Sequence, residues 1–330
     1  MKSTDVLIIG AGISGLLCAT ELKRAGRSVR VLDKGRGCGG RMATRRMGAA
    51  RLDHGAQFFT VRDAQFQRYV DQWLDAGVVR EWFRRAPYDS RPEGHPRYRG
   101  NAGMSDVSNY LARDLDVQCS QTVIQVQRDK QQWVARVASG SEFRAHHLVV
   151  TAPLPQALAL LETSGLDYAG SALTQLRAVR YERGLATLAI LDGPSGLPDA
   201  GFVKLQDSTL SWIADNQAKG ISPEVPCVTM HATAAFAEQH WDSPDAVRGR
   251  LMLESAAEYL GSKVVESSCH RWGYTLPINP YPEAYFYNPD LSLSIAGDAF
   301  GGERVEGAAL SGLAAGAALV DHFDGAQALW

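Results

Sequence analysis

The chain lacks the features that would point to a membrane, an oxidising compartment or a resident metal. No apolar run is long enough to span a bilayer. The least polar stretch, Gly307 to Val320, is short and mostly glycine and alanine, whereas a spanning helix needs about 20 predominantly apolar residues. The five cysteines, Cys18, Cys38, Cys119, Cys227 and Cys269, form no C-x-x-C pair, and their odd number and scatter argue against a disulfide framework. Reduced thiols are expected. The eight histidines show no ligand spacing. His146 and His147, adjacent in an expected strand, point to opposite faces and cannot share an ion, so no metal is expected. The absence of a G-x-S-x-G elbow removes serine-hydrolase chemistry. Met1-Lys2-Ser3 leads almost directly into the first strand and leaves no room for a cleavable signal, so a cytoplasmic location is expected. No internal repeat or low-complexity tract is visible.

What is present describes a water-soluble protein with a substantial core: 330 residues, 45% hydrophobic and 21% charged, enough for two globular units. Net charge is −2, but it is unevenly spread. The first hundred residues hold 19 Lys and Arg against 10 Asp and Glu, and the remainder hold 15 against 26. The basic excess includes Arg36, Arg41, Arg45, Arg46 and Arg51, then Arg80, Arg84, Arg85, Arg91, Arg97 and Arg99. Acids and aromatics interrupt this cluster and no recognition module accompanies it, so nucleic acid is not expected as a partner.

The most informative segment is Val6-Leu7-Ile8-Ile9-Gly10-Ala11-Gly12-Ile13-Ser14-Gly15, an apolar strand passing through G-x-G-x-x-G into a helix, with Asp33 eighteen residues beyond Gly15. Gly10 permits the tight turn, Gly12 lets backbone approach a pyrophosphate, and Gly15 lets helix pack on strand. The helix N-terminus presents free N–H groups and a positive dipole end to the phosphates. Asp33, at the end of the next apolar run, is placed to accept from a ribose hydroxyl.

Beyond this βαβ unit, Lys34 to Arg41 is too glycine-rich for regular structure, and Asp53 to Phe59 reads as another ligand-facing turn. Helices are expected over 64–76, 105–115 and 244–260, and a β-meander over 117–150 ending in a parallel strand. Further strands are expected over 186–191, 210–214 and 227–232. The alternating strand 291–298 ends in Gly297-Asp298, and a small-residue helix opens at 304–308. The expected fold class is therefore α/β, a Rossmann-type dinucleotide domain built from 1–60, 100–155 and 285–330. It is interleaved with a mixed-sheet substrate domain built from 61–99 and 156–284.

Gly39-Gly40-Arg41 and Gly297-Asp298 with its following helix resemble the flavin-binding elements of the amine-oxidase-like flavoproteins. Within that superfamily the chain resembles the renalase family. The residues that carry the resemblance are Leu32 to Gly37 with Gly39 to Met42, Asp53-His54-Gly55-Ala56-Gln57-Phe58-Phe59-Thr60, and Arg97 to Gly100 with Gly103-Met104-Ser105. His270-Arg271-Trp272-Gly273-Tyr274 and Arg304-Val305-Glu306-Gly307-Ala308 complete the set. The match spans nearly the whole chain and departs at Pro277-Ile278-Asn279-Pro280.

The resemblance implies FAD held by Gly10, Ala11, Gly12, Ser14, Gly15, Asp33, Lys34, Gly40, Arg41, Met42, Gly55, Ala56, Gln57, Val123, Gly297, Asp298, Val305, Glu306, Gly307 and Ala308. It implies a dinucleotide substrate met by Gln57, Phe58, Phe59, Thr60, Arg97, Tyr98 and Trp272. The implied reaction takes a hydride from the 1,2- and 1,6-dihydro isomers of NAD(P) and passes the electrons to dioxygen, releasing hydrogen peroxide. Hydride transfer to a flavin needs no protein nucleophile, so no catalytic side chain is assigned. The FAD is expected to be non-covalent, because no cysteine in the C-terminal ligand region has a context for attachment; Cys38, the nearest candidate, reads better as a small packing residue. Two alternatives share the flavin motifs: an amine or desaturase-type oxidoreductase, and a non-catalytic FAD-bound protein whose redox state controls a partner.

Overall fold

Continuous branched apolar residues make β1, Thr4–Ile9, an interior strand in which Val6, Leu7 and Ile8 are fully enclosed. It runs parallel to β2, Val29–Leu32, on one side and to Glu142–Val150 on the other. Covered on both faces, it reads as a hydrophobic run and not as an alternation. The crossover between β1 and β2 is the helix α1, Ile13–Arg24, whose Leu16, Leu17 and Leu22 are fully buried. The structure is a computed structural model and describes residues 3–86 and 94–327. Arg91 and the first part of the proline- and arginine-rich connection after residue 86 lie outside the described residues.

The chain forms two compact units: Met1–Gly40, Ser108–Arg180 and Pro277–Trp330 make the first, and Arg41–Val107 with Tyr181–Leu276 make the second. In the first, the sheet runs Phe286–Asn288, Leu293–Ile295, Glu142–Val150, β1, β2, Asp116–Gln118. All neighbours in it are parallel except the first pair. An antiparallel ribbon, Val123–Asp129 with Gln132–Val137, joins it through Glu142 to Ala145. The second unit holds a five-stranded antiparallel sheet in the order Phe202–Lys204, Leu210–Asp215, Cys227–Ala232, Gly184–Leu191, Val264–Trp272. The mixed α/β class, with a Rossmann-like unit, is as expected.

The division differs in places from the boundaries expected from sequence. Residues 41–60 and 100–107 belong with the second unit: Met47, Ala50 and Leu52 of the hairpin Thr44–Met47/Ala50–Asp53 pack in one cluster with Leu188 and Cys227, and Met104 N donates to Asp53 Oδ1 at 2.9 Å. Residues 156–180 and 277–284 belong with the first. There Thr163 Oγ1 accepts from Val126 N at 3.0 Å and Tyr281 N donates to Ala299 O at 2.7 Å.

The helix expected over 64–76 forms as Ala64–Asp75, capped by the Asp63 carboxylate, which accepts from Gln65 N and Phe66 N. The strand expected over 291–298 is regular only at Leu293–Ile295. The C-terminal helix, Arg304–Gln327, packs against α1. A Cβ at Gly312 would sit 2.1 Å from Ser14 O, and one at Gly316 would sit 3.2 Å from Cys18 O. The glycine-alanine composition of this helix therefore serves close helix–helix approach. Among the described residues, no helix is long and apolar enough to cross a membrane.

Candidate active site

At the C-terminal end of β1 the backbone turns through Gly10 at φ +116°, and a Cβ there would lie 2.5 Å from Thr151 Oγ1. A Cβ on Gly15 would lie 2.1 Å from Gly10 O. Both glycines are thus required by the protein's own packing. Gly12 is different: a Cβ on it would meet nothing within 4 Å. Gly12 is also the N-cap of α1, with no side-chain cap for the helix N–H groups, and the Ser14 Oγ two residues on is buried without a hydrogen-bond partner. An uncapped helix start, open space at its cap and an unpartnered hydroxyl fit an anionic pyrophosphate.

Asp33 organises the turn beside this cradle. Its Oδ2 accepts from Ala11 N and its Oδ1 from Gly35 N, each at 2.6 Å. Each oxygen keeps a further lone pair for a ribose hydroxyl. Gly39 N donates to Ala11 O at 2.8 Å, and a Cβ on the neighbouring Gly40 would lie 3.9 Å from Gly12 Cα. Lys34 is exposed, with its ammonium 3.3 Å from Gln156 Oε1. Gln121 N donates to Asp33 O at 2.8 Å, which sets Val123, at the start of its strand, two residues further along. Thr151, absent from the sequence-derived set, ties the cradle together: its hydroxyl bonds Ile9 O at 3.2 Å and Gly10 O at 3.1 Å, and its carbonyl lies 3.8 Å from the Cβ position of Gly297.

Gly297 adopts φ +140° and donates its N–H to Ser311 Oγ of the C-terminal helix at 2.9 Å. Asp298 beside it is buried. Val305, Glu306, Gly307 and Ala308 form the first turns of that helix, and a Cβ on Gly307 would collide with Gly302 O at 2.1 Å. Arg304 enters the helix at φ +75°, a left-handed conformation that persists in a non-glycine residue only where its surroundings dictate it. The N-terminus of this helix would favour negative charge on a group bound in front of it, such as a reduced flavin.

In the second unit, the turn after Asp53 is built on Arg41. A Cβ on Gly55 would sit 2.1 Å from Arg41 O, and Ala56 N donates to that same oxygen at 2.9 Å. The Arg41 guanidinium donates to Tyr274 O at 3.2 Å and lies 5.9 Å from the Tyr181 ring; Met42 is buried. Trp272 joins the same turn by donating Nε1–H to His54 O at 2.9 Å. Gln57 donates through Nε2 to Asp53 O at 2.5 Å and to Gly55 O at 3.2 Å, leaving Oε1 buried without a partner.

Of the other expected substrate residues, all but Thr60 are packed within the unit. Phe59 and Tyr98 are core residues, 3% and 8% exposed, joined by paired backbone hydrogen bonds and packed with Phe66 and Trp73. Arg97 is buried, donating to the carbonyls of Arg84 and His95 and lying over the Phe83 ring. Phe58 belongs to an aromatic cluster with Trp82, Phe83 and Trp212. Thr60 is half-buried at the end of the turn. The structure gathers Gly55, Ala56, Gln57 and Trp272, and gives Phe59, Arg97 and Tyr98 structural work.

Sequence reading missed two features of this turn. Asp53 and Lys219, 166 residues apart, form an ion pair at 2.7 Å with both side chains fully buried. The carboxylate also accepts from Thr44 Oγ1 at 2.6 Å and Met104 N at 2.9 Å, which adds two donors to the ammonium, as a buried charge requires. Burial lowers the pKa of Lys219, opposed by Asp53. The second feature is a set of uncharged imidazoles. His54, His270 and Trp272 have ring centroids 4.5 to 5.0 Å apart. Burial, reinforced by His270, pushes His54 down to about 4; burial and Arg45 lower His270; and burial pushes His231 down to about 4.

Comparisons with known proteins agree with this geometry. Residues 8–73 match the NAD(P)-binding Rossmann-like domain family, and residues 87–320 match the flavin containing amine oxidoreductase family. Renalase from Mus musculus is 25% identical over 288 residues, covering 82% of this chain and 84% of that protein. Among solved structures, wild-type putrescine oxidase bound to putrescine aligns with a TM-score of 0.72 at 14% identity over 97% of this chain and 99% of its own. Cyclohexylamine oxidase from Brevibacterium oxydans IH-35A aligns with a TM-score of 0.71 at 14% identity over 98% and 100%. At such identities the structural likeness speaks for the fold alone. The family match covers most of the length and the cradle fits the cofactor, so the chain belongs to the flavin-containing amine oxidoreductase family and is a renalase-like, FAD-dependent oxidoreductase.

Proposed function

We propose that the protein is an oxidase that takes a hydride from the 1,2- and 1,6-dihydro isomers of NAD(P), returns β-NAD(P)⁺ and reduces dioxygen to hydrogen peroxide, acting in the cytoplasm. The likeness to renalase suggests the reaction, and one observation on this chain carries it: Asp53, the carboxylate of the turn that leads to Gln57, is already paired inside the protein. Asp53 is occupied by Lys219, Thr44 and Met104, burial holds His54 neutral, and Arg45 adds to burial in lowering both His54 and His270. Such surroundings repel an ammonium and admit an anionic dinucleotide.

The bound FAD supplies the electron sink for the hydride. The protein's task is to place the donor carbon at about 3 to 3.5 Å and to keep water out. Gly12, Ser14 and Asp33 are assigned to the cofactor's pyrophosphate and ribose, and the helix opening at Arg304 to its pyrimidine edge. On the substrate side the assignment is Gln57, Thr60 and Trp272. The Gln57 amide has its donors committed to backbone carbonyls, so its free Oε1 can only accept, which suits the N–H of a carboxamide.

Anaerobic mixing tests this. The dihydro isomers should bleach the oxidised flavin rapidly, and β-NAD(P)H and a panel of amines should do so slowly. Reduction by an amine with no response to either isomer overturns the proposal.

A further inference from the structure

We propose that Cys38 and Cys119 form a reversible dithiol–disulfide pair, oxidised by hydrogen peroxide, that fastens the loop over the dinucleotide cradle and slows the release of FAD. The two sulfurs lie 3.9 Å apart although 81 residues separate them in sequence. Both residues are partly exposed, so a small oxidant can reach them. No other pair of the five thiols lies within hydrogen-bonding distance among the described residues.

Their placement gives the bond a consequence. Cys38 sits in the loop that leaves β2, between Asp33, which holds Ala11 N, and Gly39, which donates to Ala11 O. Cys119 follows Asp116–Gln118, the strand paired with β2. Besides the contact of the two sulfurs, backbone hydrogen bonds join the two segments: Asp33 N to Gln118 O at 3.0 Å, Ser120 N to Gly35 O at 2.7 Å and Gln121 N to Asp33 O at 2.8 Å. A covalent link at Cys38 would add a fixed point at the far end of the loop, next to Gly39 and Gly40. Opening the loop away from α1 would then cost more.

The chemistry balances. One thiolate attacks a peroxide oxygen, the O–O bond breaks, and a sulfenic acid and one water result. The second thiol attacks that sulfur, the S–S bond forms and a second water leaves. Two electrons pass from the thiols to the peroxide. Burial, with Cys119 and Asp33 adding to it, pushes Cys38 up to about 12. Little thiolate is present near neutral pH, so closure is slow there and should speed up as pH rises. Hydrogen peroxide is the product of the proposed reaction, so the oxidant's source rests on that reading; the bond itself does not.

The test uses the FAD-loaded protein and added peroxide, without turnover, so its outcome is independent of the substrate. Peroxide treatment should remove two hydrogens from the intact mass and join tryptic peptides 37–41 and 114–128. Dithiothreitol should reverse this, and Cys38→Ser or Cys119→Ser should abolish it. Flavin fluorescence after dilution should show FAD leaving the oxidised protein severalfold more slowly than the reduced, with no redox difference in either variant. Sulfinic acids without a joined peptide, or equal FAD release in both states, would overturn the proposal.

Discussion

Gly12 and Gly15 belong to the same fingerprint and answer to different partners. Gly15 is needed by Gly10 O, 2.1 Å from its Cβ position, whereas Gly12 faces open space at an ordinary φ of −77°. Gly15→Ala should therefore destabilise the protein without ligand by about 1 to 3 kcal/mol through overpacking, while Gly12→Ala should leave its thermal unfolding nearly unchanged and weaken FAD binding at least tenfold. Melting curves of the apoprotein with flavin titrations separate the two; full FAD affinity in Gly12→Ala would mean that the pyrophosphate does not approach there. Lys219→Met tests a second residue-scale dependence. It strands the buried Asp53 carboxylate and should cost about 3 to 5 kcal/mol in chemical denaturation, a loss that adding Asp53→Asn should partly recover. The glycines were legible in the sequence because each obeys a local backbone rule. Lys219 and Thr151 were not, because their roles come from partners more than a hundred residues away.

Among the elements, the pairing of α1 with the C-terminal helix turns composition into function. The helix from Arg304 was expected from its small residues, but the reason for them lies in α1, where Gly312 meets the backbone of Ser14. A methyl at Gly312 must push the helices apart at the turn that carries Gly12 and Ser14, the residues proposed to meet the cofactor. Gly312→Ala should lower both the melting temperature and the FAD retained on purification, and Gly325→Ala, with nothing within 4 Å of its Cβ position, should do neither. Elements with a strong period or a fingerprint, such as β1, α1 and Ala64–Asp75, were readable. The hairpin Thr44–Met47/Ala50–Asp53 was hidden by Arg45, Arg46 and Arg51, although Gly48 at φ +55° marks its turn. The edge strand Val264–Trp272 was missed because its exposed length, with Val265 at 58%, breaks the alternation that half-buried strands show.

For the whole molecule, each unit holds imidazoles that folding keeps uncharged, and this sets a common response to acid. Burial pushes His147 in the first unit down to about 3, with His322 and Arg128 adding to it; its Nε2 lies 3.0 Å from Ser294 Oγ. His54 and His231 in the second unit fall to about 4. Because these values lie below the 6.5 of an exposed histidine, the unfolded chain binds more protons across the interval between them, and stability rises with pH there. The contribution is fully present above about pH 6.5 and is lost as pH falls toward 4, at about 1.4 kcal/mol per histidine for each pH unit of displacement. Calorimetry of the FAD-loaded protein should show the melting temperature steady from pH 8 to 7 and falling steeply below 6. His147→Gln should flatten part of that slope, because the amide can keep a hydrogen bond to Ser294 and takes up no proton. A melting temperature unchanged between pH 7 and pH 4 would mean that these imidazoles are not held neutral, and the neutral His54 used in the proposed exclusion of a cationic donor would lose its basis.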